Sequence, residues 1–283
     1  MMFTLPQPSG GFRWVQLEPG PALICDALEP VARHFFTSRP WRLGERTSES
    51  ADGWLDVART INVGVMHLRR LHQVHGAEAV IYKQREQVAV GAMPRADIAL
   101  TDDPTVAVAI QTADCLPILI ADRHSSAVAA AHAGWRGLAA RVPRVVVERM
   151  AVDFASRRKD LIVAVGPAIG ACCYEVGLDV RGRFLHEGFS EPEVARWFHN
   201  SALTLKANPP MESLPAEPRA GHWFFDAWRC VREQLESAGV PGDQIFCADL
   251  CTGSHEPAFC SYRRDGAVAG RMAAVIRPRP SPH

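Results

Sequence analysis

Four short apolar runs follow one another at 96–101, 106–111, 116–121 and 127–131, with no helical period between them. Each is rich in Val, Ile, Leu and Ala, and each is bounded by Asp, Pro, Gly or Ser, which is the pattern of short buried strands. Pro117 stands at the start of the third, where a missing N–H is tolerated. Strands that succeed each other without a helix are joined by hairpins, so the sheet is mixed or antiparallel. The class is α+β, not a doubly wound parallel fold. Further strands are expected at 12–16, 73–83, 160–165, 244–249 and 272–276.

The period changes at 138–154. Leu138, Val142, Val145, Val146, Arg149 and Met150 share one helical face, and Pro143 falls in the first turn. Helices are also expected at 178–187, 193–198 and 226–238; the last puts Trp228, Val231 and Leu235 together and ends at Gly239. Residues 200–220 are aperiodic and Pro-bearing, a surface loop or insertion. This gives a lead-in at 1–20, a single domain at 21–276 and a disordered tail at 277–283.

Composition excludes several classes. Lys plus Arg equals Asp plus Glu at 31 each, so no global field draws nucleic acid or an anionic membrane. No run is long enough to span a bilayer, and the first residues lack a charged start followed by an apolar block. Eight cysteines lie mostly in strand-like runs, where a reduced thiol acts as a small hydrophobe; the cytoplasm is the expected compartment. There is no Gly-rich dinucleotide fingerprint and no P-loop, so nicotinamide, flavin or ATP sites of the usual kinds are not expected.

The residues that carry chemistry stand at strand mouths. His132 closes an apolar run and precedes Ala-Gly-Trp-Arg-Gly; His75 lies in Gln-Val-His-Gly, and Cys115 in Thr-Ala-Asp-Cys-Leu-Pro. Two imidazoles and a thiolate suit a zinc ion that keeps a fourth position open. The three are 40 and 17 positions apart, so no zinc-finger spacing exists and only the fold can assemble them. Read singly, they are equally core histidines and a buried thiol.

Asp114 is placed to hold a ligand's second nitrogen or to carry a proton. Gly134 and Gly137 let the backbone after His132 approach a ligand, and Arg136 sits where a helix begins, a place that favours anions. Arg263, Arg264 and Arg271 lie within nine residues of a Gly-rich turn, either a fork for phosphate or carboxylate or a solvated hairpin tip. The glycine-punctuated loop at 166–177 includes Tyr174 and the adjacent pair Cys172-Cys173, which is no redox C-x-x-C and reads as structural.

These motifs occur in one order: Gln-Val-His-Gly at 73–76, Thr-Ala-Asp-Cys-Leu-Pro-Ile-Leu at 112–119, Ala-His-Ala-Gly-Trp-Arg-Gly at 131–137, the loop at 169–177, Cys251-Thr252, and Ser-Tyr-Arg-Arg-Asp-Gly at 261–266. In them the chain resembles the YfiH family, also called the multicopper polyphenol oxidase (laccase) or DUF152 family. The resemblance implies a single four-layer α/β/β/α domain with mixed sheets, and a metal at His75, Cys115 and His132. It implies zinc, with Cu2+ as the alternative ion. It further implies phosphorolysis of adenosine, inosine, guanosine and methylthioadenosine, and deamination of adenosine. Purine nucleosides and phosphate are then the partners, with Arg136, Arg263, Arg264 and Tyr174 as their binding residues and Asp114 as the proton carrier. Some relatives are instead described as cytoplasmic editors of muramyl-peptide precursors, which would make Cys115 a nucleophile. Cys260, where a second Phe is usual, and His72 depart from the family pattern.

The laccase label can be tested by counting. A blue copper plus a trinuclear centre needs roughly ten histidines, many as His-x-His. This chain has eleven in all and no His-x-His, and His34, His199 and His283 look peripheral. Multicopper oxidation is not expected. The deaminase signature His-x-Glu with Pro-Cys-x-x-Cys is also absent, so deamination here would be an independent solution. A non-catalytic metal- or nucleotide-binding module is the third reading.

Overall fold

The computed structural model describes residues 4–44, 48–84, 93–214 and 217–279. In chain order the first half holds β1 (Phe12–Leu17), β2 (Gly20–Cys25), β3 (Ala32–Thr37), α1 (Ser48–Ile61), β4 (Leu68–Arg69), β5 (Ala79–Tyr82), β6 (Ile98–Thr101), β7 (Ala107–Thr112), β8 (Leu116–Asp122) and β9 (Val128–Ala133). Then come α2 (Trp135–Ala139), α3 (Val142–Phe154), β10 (Leu161–Val165), β11 (Glu175–Gly177), α4 (Leu178–His186), α5 (Glu191–Trp197) and β12 (Phe198–His199). The chain continues with β13 (His222–Phe225), α6 (Ala227–Ser237), β14 (Ile245–Cys247), α7 (Tyr262–Asp265) and β15 (Met272–Pro278).

One six-stranded sheet has the order β1-β2-β3-β15-β7-β4, the other β14-β10-β8-β9-β6-β5; β11-β13-β12 form a small third sheet. Both large sheets are mixed. They stack through Phe36, Val108 and Ile276 on one side and Leu119, Ala130 and Ile162 on the other. α1 covers the outer face of the first sheet with Trp54, Val57, Ala58 and Ile61. α3 and α6 cover the outer face of the second, where Val146, Met150, Val231 and Leu235 meet Ile118, Ile120, Ala129 and Val163. The result is helix, sheet, sheet, helix: a single α+β domain in four layers.

The central strands show why the sequence folds this way. A strand covered on both faces must be apolar at nearly every position, because alternate side chains enter different cores. β8 is buried throughout, sending Leu116, Ile118 and Ile120 toward the helices and Leu119 and Ala121 between the sheets. His132 has the parity of Val128 and Ala130 in β9, so it faces the inter-sheet layer.

Several expectations change in detail. Of the four apolar runs only β8 and β9 form a hairpin; β7 belongs to the other sheet, between β15 and β4. The helix expected at 138–154 is two helices. Pro143 would set its ring against the carbonyl of Ala139, and the chain breaks there, with Arg141 left-handed at φ 60°. The motif at 261–266 is not a hairpin tip but the short helix α7 itself, with Ser261 as its N-cap and Gly266 as its C-cap.

The segment 1–20 holds more than a loose lead-in. β1 pairs with β2 along its length, and the Ser9 N–H bonds the Ala248 carbonyl at 3.1 Å. At the other end β15 runs to Pro278, into the stretch expected as tail, while 280–283 fall outside the described residues. Among the described residues no helix is long and apolar enough to cross a membrane.

Candidate metal centre and cleft

Sheet register brings the three donors together. In the β8–β9 hairpin Leu116 lies opposite Ala133 and Pro117 opposite His132, so Cys115, one residue before β8, reaches the end of β9. On the other side of β9, Ile98 pairs with Ala131, which puts Asp97 beside His132; the His132 N–H bonds the Asp97 carbonyl at 2.8 Å. β5 lies against β6, and the loop before it carries His75 to the same edge.

Asp97 organises this corner. Its carboxylate accepts the backbone N–H groups of Val74, His75 and Gly76 at 3.1, 3.0 and 2.7 Å. It also faces His132 Nδ1 at 2.8 Å. The three N–H bonds hold His75 in the left-handed region at φ 60°, a conformation that costs a non-glycine residue about 1–3 kcal/mol. Gln73 braces the same loop against the first sheet, bonding both the carbonyl and the N–H of Gln111 at 2.8 and 2.7 Å.

The ligand atoms of His75, Cys115 and His132 all lie within 4.8 Å of one another, and the two imidazoles meet edge to face at 4.9 Å. With Nδ1 facing Asp97, His132 turns Nε2 inward, toward Cys115 and His75. Burial pushes the Cys115 thiol up, but His132 and His75 outweigh it and hold the thiol at about 6. Burial lowers His132 while Cys115 and Asp97 raise it, to about 9.

Gly134 leaves the space this packing needs: a Cβ there would sit 2.8 Å from Cys115 Sγ and 3.3 Å from His75 Cδ2. Two imidazole nitrogens and a readily ionised thiol, with room between them, fit a borderline-soft divalent cation with one position left open.

The centre lies in a cleft of about 1100 Å³. Arg136 and Arg263 are among the residues that line it. The Arg136 guanidinium lies 4.2 Å from the Trp135 ring centroid, and Arg263 lies 5.2 Å from that of Tyr174 while donating to the Glu175 carbonyl at 2.8 Å. Arg264 is a correction, because it does not line the cleft. Its guanidinium is consumed by Asp265 at 2.8 and 2.9 Å and by the carbonyls of Thr252 and Phe259 at 3.0 and 2.8 Å. Arg70 and Arg271 take the cationic places at the wall instead.

Asp114 is also repositioned. It lines the cleft but does not hold a ligand's second nitrogen; Asp97 does that. The Asp114 carboxylate accepts from Thr252 Oγ1 at 2.5 Å and from the Arg263 N–H at 2.6 Å, and burial raises its pKa. Asp97 was missed by sequence reasoning. Its signal was a carboxylate at the head of a wholly apolar strand, fully buried in the structure.

Two imidazoles and a thiol gathered at an arginine-walled cleft, between two mixed sheets, define a protein of the four-layer α+β class with a candidate metal site. Residues 43–279 match the family described as multi-copper polyphenol oxidoreductase laccase, and the chain belongs to that family. The purine nucleoside phosphorylase YfiH of Escherichia coli is 36% identical over 206 residues, 73% of this chain and 72% of that protein. The purine nucleoside phosphorylase of Bacteroides thetaiotaomicron is 32% identical over 194 residues, which span 69% of this chain and 63% of that protein. The crystal structure of YlmD from Geobacillus stearothermophilus superposes with a TM-score of 0.75 at 27% identity, covering 96% of this chain and all of that one.

The family's descriptive name does not fit the donor inventory. Among the described residues only one cluster of three potential ligands contains histidine, the one in the cleft. His34 is buried and bonded to the Cys25 N–H, and His255 bonds the Ala207 carbonyl.

Proposed function

We propose that this protein is a zinc-dependent purine nucleoside enzyme of the cytoplasm. It phosphorolyses adenosine, inosine, guanosine and methylthioadenosine, and it deaminates adenosine. The observation that carries the reading is the convergence of His75, Cys115 and His132 beneath Arg136 and Arg263 in one cleft. The names of the relatives supply the substrate class. A volume of about 1100 Å³ accommodates a nucleoside and orthophosphate together.

His75, Cys115 and His132 hold the ion, and zinc bound there supplies Lewis-acid polarisation at the position they leave open. Arg136 and Arg263 neutralise orthophosphate beside C1′ of the ribose, where its oxygen replaces the base and ribose 1-phosphate forms. Tyr174 and Trp135 offer aromatic faces at the wall. Asp114, anchored by Thr252 and made more basic by burial, gives up the proton that the departing base requires. In deamination a water oxygen replaces the amino group at C6 of the purine, and the same carboxyl protonates the amino group as it leaves as ammonia.

The test is a nucleoside screen with and without phosphate on zinc-loaded and chelator-stripped protein. Hypoxanthine and ribose 1-phosphate are expected from inosine only with phosphate and only with zinc. Equal turnover by the stripped protein sinks the assignment.

A second prediction separates the neighbouring arginines. Arg263→Ala raises the KM for phosphate about tenfold, the effect of one lost charge-assisted contact of about 1.5 kcal/mol. Arg264→Ala leaves that KM unchanged and lowers Tm, since it strands Asp265 and two carbonyls. Steady-state kinetics and thermal melts read both, and a phosphate effect confined to Arg264→Ala would reverse the placement.

One observation favours a second reading. His132 is oriented by Asp97 and neighbours Cys115, the nucleophile, base and orienter arrangement of a cysteine hydrolase acting on a muramyl peptide. Turnover of such a peptide by zinc-free protein, blocked by alkylation of Cys115, would select it.

A further inference from the structure

Behind the cleft wall, three more thiols converge. Cys172, Cys173 and Cys251 are all buried, and their Sγ atoms lie within 4.8 Å of one another. Cys172 and Cys173 belong to the loop between β10 and β11. Cys251 follows β14 and is held beside that loop by the Ala168–Cys251 bridge. The Cys251 N–H is fixed in turn by Asn208 Oδ1 at 2.8 Å.

The surroundings distinguish this cluster from ordinary core cysteines. Cys25 and Cys260 are buried within the apolar layer between the sheets, as small hydrophobes do. Here Ser254 Oγ stands 3.5 Å from Cys172 Sγ and 3.6 Å from Cys173 Sγ, and the Gly170 N–H points at Cys251 Sγ from 3.3 Å. Met211 packs in the same group. His255 is not a donor, since its Nε2 faces the Ala207 carbonyl at 2.8 Å.

An ion bound at about 2.3 Å to three sulfurs needs them about 4 Å apart, within the spread found. Three thiols with one hydroxyl beside them form a soft donor set that suits Zn2+ or Cu+ and lacks the several oxygen ligands Mg2+ or Ca2+ require.

We propose that Cys172, Cys173 and Cys251 form a second metal site for a thiophilic d10 cation, Zn2+ or Cu+, with Ser254 and Met211 beside it. The site stands independently of the chemistry in the cleft. Its role is to clamp two loops that serve the cleft wall. Ile169 and Tyr174 of the first loop line the cleft, and Thr252, next to Cys251, anchors Asp114. Each bound ion displaces the protons of the thiols that ligate it, with no change of oxidation state.

The experiment uses metal-free protein prepared under reductant and Cd2+ as a d10 probe, reading bound metal and the thiolate-to-metal charge-transfer absorption. The intact chain is expected to bind two equivalents. The combined His75→Ala, Cys115→Ala and His132→Ala variant keeps one equivalent and most of the absorption, and adding Cys251→Ser removes both. X-ray absorption of the cleft-ligand variant loaded with Zn2+ or Cu+ gives the same answer without touching the cluster: three sulfur neighbours support the site. Whichever ion is retained when both are supplied identifies the occupant. A cleft-ligand variant that retains no ion, an ion with fewer than three sulfur neighbours, or a Cys251 found joined to Cys172 or Cys173 under reductant overturns the proposal.

Discussion

Asp97→Ala is expected to destabilise the metal-free protein by about 3–5 kcal/mol, the penalty for breaking a buried charge pair, and to weaken zinc binding about 10–100-fold, the usual effect of losing a ligand's orienting partner. Asp97 is fully buried, and its carboxylate serves Val74, His75, Gly76 and His132 at once. Truncation strands three backbone donors, each costing about 1–3 kcal/mol if it stays buried and unpaired. It also frees the His132 ring to adopt either tautomer, and lets the left-handed turn at His75 relax. Burial raises the Asp97 pKa, but His132 and the backbone N–H groups outweigh it and lower the group overall, so the ionised form is the one they stabilise. Asp97→Asn lies between, because its amide keeps one acceptor and turns a donor toward another donor. Urea unfolding of the stripped protein and competition for zinc with a chromophoric chelator measure the two effects. An alanine variant unchanged in both would remove Asp97 from the role given to it.

This residue also shows where sequence reading reaches and where it stops. β8 and β9 are legible because burial on both faces forces unbroken apolar runs. His75, Cys115 and His132 stand out only together, through the order of the motifs that carry them, since each alone reads equally as a core histidine or a buried thiol. Asp97 carries no such mark. A carboxylate at the second position of the run at 96–101 looks like a strand boundary, and only the pairing of Ile98 with Ala131 shows that it lies beside His132. Arg263 and Arg264 are equivalent in sequence; one turn of α7 sends one guanidinium toward the cleft and the other into carbonyls and Asp265.

The long apolar face at 138–154 predicted one helix because periodicity outlasts the break that Pro143 imposes. β2, β3 and α1 went unread although α1 carries Trp54, Val57, Ala58 and Ile61 at helical spacing. The three cysteines behind the cleft were seen as a pair, since nothing local connects positions 172 and 251. Long-range register supplied what composition and period lacked.

Gly134→Ala is expected to remove metal and activity while leaving the fold in place. Gly134 has φ −75° and ψ −179°, extended backbone open to any residue, so alanine adds no conformational strain. The added methyl instead meets Cys115 Sγ at 2.8 Å and His75 Cδ2 at 3.3 Å. Relief requires Cys115 to rotate away or the β8–β9 edge to open, and metal–ligand distances tolerate only about 0.2 Å. Misplacement of a reacting group by about 1 Å costs on the order of 100-fold in rate, so phosphorolysis falls by about 100- to 1,000-fold. Relieving that clash at a buried position costs about 1–3 kcal/mol of unfolding free energy, which leaves the protein folded. Gly137→Ala is the control. Its methyl meets Val142 Cγ2 at 3.2 Å and no donor, so zinc content and turnover persist. Metal analysis, turnover and urea unfolding of the two variants decide the matter. Full zinc occupancy in Gly134→Ala, or equal loss in Gly137→Ala, would show that the glycine after the His132 strand does not set the spacing of the donors.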